Sequence, residues 1–241
     1  MRPVLAVIGA AMLVTACATP PTFRTPPQLG QKIQTTKSIV LIPLKADVYQ
    51  VTAGGIQEKI DEWSRQAREN VVAAIRDEIE AKPLLFLKAF PETLMSDATR
   101  ANLEETSALF DAVSTSIIAH VYGPADQRFQ EKVTNFDYTV GPEVSALAPD
   151  SDAILFVRCF DQVSTAGRKA LQAGSMILGA LVGVYMNPNA GVTAVNVALV
   201  DAETGEILWY NFHASGGDHD LRNPTNTYSL VKDLLKDFPL K

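Results

Sequence analysis

The pattern that most limits the fold is a change of hydrophobic period along the chain. From Ile56 to Ile79 the apolar residues Ile56, Ile60, Trp63, Ala67, Val71, Ala74, Ile75 and Ile79 recur at helical spacing, and charged residues such as Glu58, Asp61, Arg65 and Glu69 take the other side. Such a helix is stable only if its stripe lies on another apolar surface. The runs beside it lack that period: SIVLIPL at 38–44, DVYQVT at 47–52 before Gly54-Gly55, and PLLFLKAF at 83–90 read as strands, the last a buried one. A second helix is expected from a cap at Ser96, with Leu103, Thr106, Phe110, Val113, Ile117 and Val121 on one face. Tyr122 to Asp150, broken by glycines and prolines, reads as a long excursion around one short strand, KVTNFDYTV. Residues 152–163 form the strongest buried-strand pattern. VTAVNVALVD and EILWYNFHAS then flank Ala202-Glu203-Thr204-Gly205, a turn in which Gly205 can take a positive φ, as in an antiparallel hairpin. Tyr228, Val231, Leu234, Leu235 and Phe238 fit a last helix after Asn223-Pro224, capped by Thr225 or Asn226. This order predicts an α/β fold of the α+β type: a mixed sheet packed by amphipathic helices, with a C-terminal antiparallel hairpin and helix.

The first residues have a different character. Arg2 precedes an apolar run from Val4 to Val14, and the small residues Thr15 and Ala16 lead to Cys17, the order of a signal peptide. As a helix, Pro3 to Ala16 would reach only about 21 Å, short of a hydrocarbon core of roughly 30 Å, so a permanent span is not expected. Val14-Thr15-Ala16-Cys17 resembles the lipobox of bacterial lipoproteins. The resemblance implies cleavage before Cys17 and acyl chains, palmitate among them, on that cysteine, each buried methylene adding about 0.8 kcal/mol of anchoring. It also implies an outer-membrane address on the periplasmic face, because Ala18 is not an inner-membrane-retaining aspartate; the inner membrane is the alternative. The expected division is 1–16 signal peptide, 17–37 lipidated cysteine and tether, and 38–241 a single periplasmic α/β domain. The stretch ATPPTFRTPPQLGQKIQTT at 18–36, with four prolines, predicts an extended, poorly ordered tether.

Charge and cysteine usage narrow the function. The formal charge is −6, which falls to −7 without Arg2, and no dense Lys/Arg cluster occurs, so nucleic acid is not an expected partner. Cys159 lies inside AILFVRCF, and with Cys17 acylated it has no disulfide partner, so it reads as a buried structural thiol. No phosphate-binding glycine loop, H-E-x-x-H or G-x-S-x-G motif occurs, and no cofactor is implied. His120, near the end of a predicted helix, reads as a partner of the helix dipole. In FHASGGDHD the glycines Gly216 and Gly217 let the loop fold back, bringing His213 toward His219 beside Asp218 and Asp220. A polar loop and a nitrogen–oxygen metal site are both open there.

Two segments carry a further resemblance: Asp150-Ser151-Asp152-Ala153 with the strand that follows, and Val197 to Leu208 with its Thr204-Gly205-Glu206 turn. They are similar to paired segments in periplasmic envelope lipoproteins such as the curli-secretion lipoprotein, and to the amino-terminal domain of the Tol-system propeller protein. The resemblance implies a mixed-sheet periplasmic domain that works by assembly with envelope proteins, sometimes as a ring in the outer membrane, and implies no catalytic residues.

One segment has unusual physics. The 16 residues from Gln172 to Asn187 carry no charge and include Gly174, Gly179 and Gly183, the last two a GxxxG pair, before Asn187-Pro188-Asn189 ends the run. Such a pair lets helix backbones approach closely, so Gly174, Met176, Gly179, Gly183 and Tyr185 are candidates for self-association or membrane contact. A helix buried under the sheet is the competing reading. A pore hairpin fits poorly, because SMILGALVGVYM does not alternate apolar and polar residues. Three functions therefore compete: a membrane-anchored, non-enzymatic interaction module of the cell envelope, a homo-oligomer included; a subunit of an outer-membrane secretion or transport complex; and a metal-dependent periplasmic enzyme using His213 and His219.

Overall fold

The computed structural model describes residues 22–52, 56–83, 85–92, 95–164, 191–216 and 219–240. Among them one mixed sheet contains β1 (Ser38–Leu41), β2 (Lys45–Val51), β3 (Gln57–Lys59), β4 (Phe86–Ala89), β5 (Ala153–Ser164), β6 (Val192–Asp201) and β7 (Ile207–Ser215). Strand β5 is central: β6 runs antiparallel along one side, and β1 and β2 share the other, both parallel to it. β4 extends the sheet from β1, β3 from β2, and β7 from β6. Among the described residues five α-helices surround it: α1 (Leu29–Thr35), α2 (Asp61–Glu80), α3 (Asp97–Ile117), α4 (Gln130–Asn135) and α5 (Pro224–Leu235). The expected mixed-sheet α/β class is the observed one.

β1 and β2 form one interrupted strand. Leu41 pairs with Leu155 and Lys45 with Arg158, so Ile42, Pro43 and Leu44 stand against only two residues of β5. This bulge changes the phase of the strand. Ile39 and Leu41 join Leu44, Ala46 and Val48 in one core, while Val40 and Ile42 enter the other. Proline suits the site because a bulge needs no ladder N–H there.

The sheet separates two cores. On the first face α2 lays Ala67, Val71, Ala74, Ile75 and Ile79 against β1, β2 and β5, and α5 adds Leu230, Val231, Leu234 and Leu235. On the second face Phe110, Ile117 and Val121 meet Val40, Ile42, Ile154, Phe156 and Tyr210, sealed by Phe136, Tyr138, Val144 and Leu147 from the excursion. Each fully buried side chain of this size contributes about 1.5–3 kcal/mol, so the two-sided burial supplies most of the driving force. A second bulge, at Leu208 where Leu199 pairs with Trp209 and Val200 with Ile207, turns both Leu208 and Trp209 into the first core.

Several local expectations change in tertiary context. Ile56 to Lys59 is not helical: β3 pairs back onto β2 with Tyr49 opposite Lys59, because the hairpin offers ladder bonds that the apolar spacing could not reveal. β4 is an exposed edge rather than a buried strand, with Phe86 69% exposed. KVTNFDYTV is mostly not a strand. α4 takes its first residues and ends on Phe136, left-handed at φ 45°, whose ring is buried in the second core; only Thr139 bridges to Glu206. The cap of α5 is Asn223, whose side chain accepts hydrogen bonds from the N–H groups of Thr225 and Asn226, instead of either of those residues. Ser96 caps α3 as expected, accepting from Thr99 N–H at 3.1 Å.

The larger correction concerns the stretch before β1. From Thr22 onward it is folded onto the domain instead of extending into solvent as a poorly ordered tether. Arg24 pairs antiparallel with Tyr210 on the outer edge of β7, its guanidinium lies 5.2 Å from the centre of the Tyr122 ring, and Phe23, Leu29 and Ile33 pack on the first core. Lys32 of α1 reaches Glu206 at 2.8 Å and Asp201 at 3.3 Å. Composition suggested a linker, but an unpaired strand edge gives even a proline-rich segment backbone partners.

Candidate functional site

An apolar cleft of about 340 Å³ lies on the second face of the sheet where α3 stops covering it. Its floor is Phe160, Val192, Ala194 and Phe212, and its rim includes Lys45, Asp111 and Arg158. Arg158, an arginine within a strand otherwise buried, ion-pairs with Asp111, donates to Ser107 O at 3.2 Å and stacks its guanidinium 5.4 Å from the Phe110 ring centre; Lys45 reaches Asp111 at 3.7 Å. Asn196, also lining the cleft, donates to the Tyr210 hydroxyl at 3.1 Å, and its buried Oδ1 has no hydrogen-bond partner. The cleft can therefore hold an apolar group that carries a hydrogen-bond donor. Sequence reading missed it, although an arginine inside AILFVRCF was a usable signal. The Cys159 side chain turns to the opposite core, where burial pushes its thiol up to about 12, so it is an inert thiol at neutral pH.

β7 and the loop after it bring His213 and His219 together, with ring centroids 5.1 Å apart at 89°. Ser215 Oγ lies 3.2 Å from His219 Nδ1. Below them Asp161, 1% exposed, accepts from Thr193 Oγ1 at 2.9 Å and from Leu221 N–H at 3.0 Å, and burial pushes its carboxyl up to about 6. Asp220 pairs with Arg222 at 2.7 Å, which holds its carboxyl below the usual range. Among the described residues no group of three His, Cys, Asp or Glu side chains is placed to hold a metal ion, and Asp218 lies outside them. Asp161 instead ties β5 to the start of the chain's last helical segment. His120 stands in a π-helical turn continuing α3, stacked on Phe129 with centroids 4.1 Å apart.

Cys17 and the contact candidates Gly174, Met176, Gly179, Gly183 and Tyr185 lie outside the described residues. The chain leaves β5 after Ser164 and re-enters at Gly191, and Gln162 pairs with Val192, so residues 165–190 are attached at the tip of an antiparallel hairpin. A Cβ on Gly191 would fall 1.5 Å from Gln162 O, so only glycine fits where the chain returns. Among the described residues no helix is long and apolar enough to cross a membrane.

Fold and site together define a mixed-sheet α/β domain with helices on both faces and an apolar cleft beside the end of α3. No protein family and no curated protein matches the chain. Among solved structures it is similar to the PelC dodecamer from Paraburkholderia phytofirmans, at 11% identity over 91% of this chain and 96% of that one, with a TM-score of 0.37. It is similar also to a DUF4136 family protein from Bacteroides thetaiotaomicron, at 9% identity over 90% and 94% with a TM-score of 0.36. Lipoprotein GNA1162 from Neisseria meningitidis matches at 11% identity over 83% and 94%, TM-score 0.30.

Proposed function

We propose that this chain is a lipoprotein of the bacterial envelope, anchored through acyl groups on Cys17, whose α/β domain binds other envelope proteins or its own copies and performs no catalysis. The observation that carries the reading is the leader that closes on Val14-Thr15-Ala16-Cys17, five residues before the chain docks onto the domain at Thr22. Acylation needs the thiol as nucleophile, and a hydroxyl does not replace it. Cys17→Ser is therefore expected to abolish fatty-acid labelling and leader cleavage; continued labelling of that variant would remove the anchor.

The binding role rests on the uncharged segment around Gly174, Met176, Gly179, Gly183 and Tyr185 as a contact surface with a second copy or the membrane. Leucine at both Gly179 and Gly183 would hold packed backbones apart and reduce self-association or membrane retention with the fold intact. If the segment is core, the same bulk overpacks it and lowers the melting temperature instead, at about 1–3 kcal/mol per site. Sedimentation, flotation and thermal melting of the double variant separate the two.

A further inference from the structure

We infer that the cleft beside the end of α3 binds a small amphipathic anion: a molecule with a flat apolar body, a hydrogen-bond donor at one end and a carboxylate at the other. The inference does not depend on the anchor at Cys17. Two cross-strand rows build the floor. Lys45, Arg158, Asn196 and Phe212 stand in register across β2, β5, β6 and β7, and Asp47, Phe160, Ala194 and Ala214 form the next row, two residues along. Because side chains alternate along a strand, both rows face the second side of the sheet. Ala194 and Ala214 pair directly, so two small side chains leave the floor low between Phe160 and Phe212, and Ser114 and Ile118 wall it from above. Aromatic side chains beside such a depression favour a flat apolar body. The cleft's 340 Å³ lies within the range of about 300–1,000 Å³ that small-molecule sites enclose.

Asn196 and Lys45 set the polarity of the occupant. Asn196 is 7% exposed, its Nδ2 donates to the Tyr210 hydroxyl, and its Oδ1 is left without a hydrogen-bond partner. A buried acceptor is costly to leave unpaired, and a donor brought by a ligand relieves that cost. Around the mouth Lys45 and Arg158 share Asp111, while Lys59 holds Asp47. Cations therefore exceed carboxylates by one, and the exposed Lys45 ammonium, 3.7 Å from Asp111, is where an anionic group fits. Lys45 and Asn196 stand on strands two apart, about 10 Å between backbones, so one small molecule reaches both.

The probe is para-hydroxyphenylpropionate, titrated by ligand-observed NMR against the full chain in lipid nanodiscs, with empty nanodiscs as the blank. Saturable binding, millimolar or tighter, is expected for a molecule of this size. Phenylpropionate, which lacks the donor, is expected to bind about tenfold more weakly. Lys45→Met should weaken binding of the probe severalfold and leave that of neutral para-ethylphenol unchanged. Ala194→Leu, with Ala214→Leu as the second variant should the first not fold, fills the floor and should remove binding while the melting temperature is kept. No saturable binding to the parent chain, or binding that survives a folded leucine variant, overturns the site. Equal affinities for the two propionates overturn the role given to Asn196, and an equal Lys45→Met effect on para-ethylphenol overturns the placing of the carboxylate.

Discussion

Arg24 and Tyr210 exchange both of their backbone hydrogen bonds, at 2.8 and 2.9 Å, which makes the proline-rich segment before β1 part of the sheet edge. Without it β7 would expose an unpaired edge, and Phe23, Leu29 and Ile33 would lose their place on the first core. A chain beginning at Thr36 is therefore expected to be less stable than one beginning at Thr22, by about 3 kcal/mol from the lost apolar burial, and to aggregate more readily. Denaturant titration of the two chains measures this; coincident curves would show that the edge contact contributes nothing.

The bulge between β1 and β2 predicts that both substitution and deletion at its centre are tolerated. Pro43→Ala keeps the residue count and is expected to change stability by less than about 1 kcal/mol. Removing residue 43 would leave Ile42 and Leu44 opposite the two residues of β5 between Leu155 and Arg158, restoring plain alternation with Leu44, Ala46 and Val48 still facing the first core. A cooperative unfolding transition is therefore expected for the deletion too, and its loss would show that the bulge itself is required.

Asp161 predicts a pH dependence of unusual sign for an aspartate. Its carboxyl is pushed from 3.8 up to about 6 by burial, so between those values the folded state holds a proton that the unfolded chain releases. Stability from this group falls as pH rises through that window and stays reduced above it, by up to about 3 kcal/mol at 1.36 kcal/mol per unit. Asp161→Asn keeps an acceptor for Leu221 N–H without the charge and is expected to flatten the profile between pH 4 and 6.5. A parallel profile for variant and parent would place the titration elsewhere.

The second core depends on Phe110, fully buried with its ring 4.7 Å from that of Phe156. Phe110→Ala is expected to cost about 3–5 kcal/mol and to loosen the Arg158 side of the cleft. Phe129→Ala, at a residue 56% exposed, is the control and should cost far less. Equal losses in chemical denaturation would contradict the layer arrangement.

The turn after β6 has a stricter requirement. Gly205 has φ 73°, and a Cβ there would lie 2.0 Å from Gly141 O. Gly205→Ala combines backbone strain with a clash against main chain and is expected to lower stability by about 2 kcal/mol or more, read as a fall in melting temperature.

Those positions that the sequence made legible are the ones whose environment is local. The Ser96 cap, the apolar stripe of α2, the buried β5 and the positive φ at Gly205 each follow from residues within a turn or two of one another. The approach of His213 to His219 was legible for the same reason, since two glycines stand between them. The cleft was not, because Asp111 on α3 and Arg158 on β5 are 47 residues apart and meet only when the helix lies across the sheet.

The sequence by itself determined most of α2, α3 and α5 and the two-sided apolar character of the central strand, because period and turn chemistry are written in neighbouring residues. Only the tertiary structure decided which face each half of the first strand serves, that Gln57 to Lys59 leaves the helix for a ladder, and that the segment around Arg24 belongs to the sheet. Each of these is a contest between local propensity and backbone hydrogen bonds offered by a distant strand. The distant strand wins where its ladder bonds, and the side-chain packing that comes with them, outweigh the local propensity.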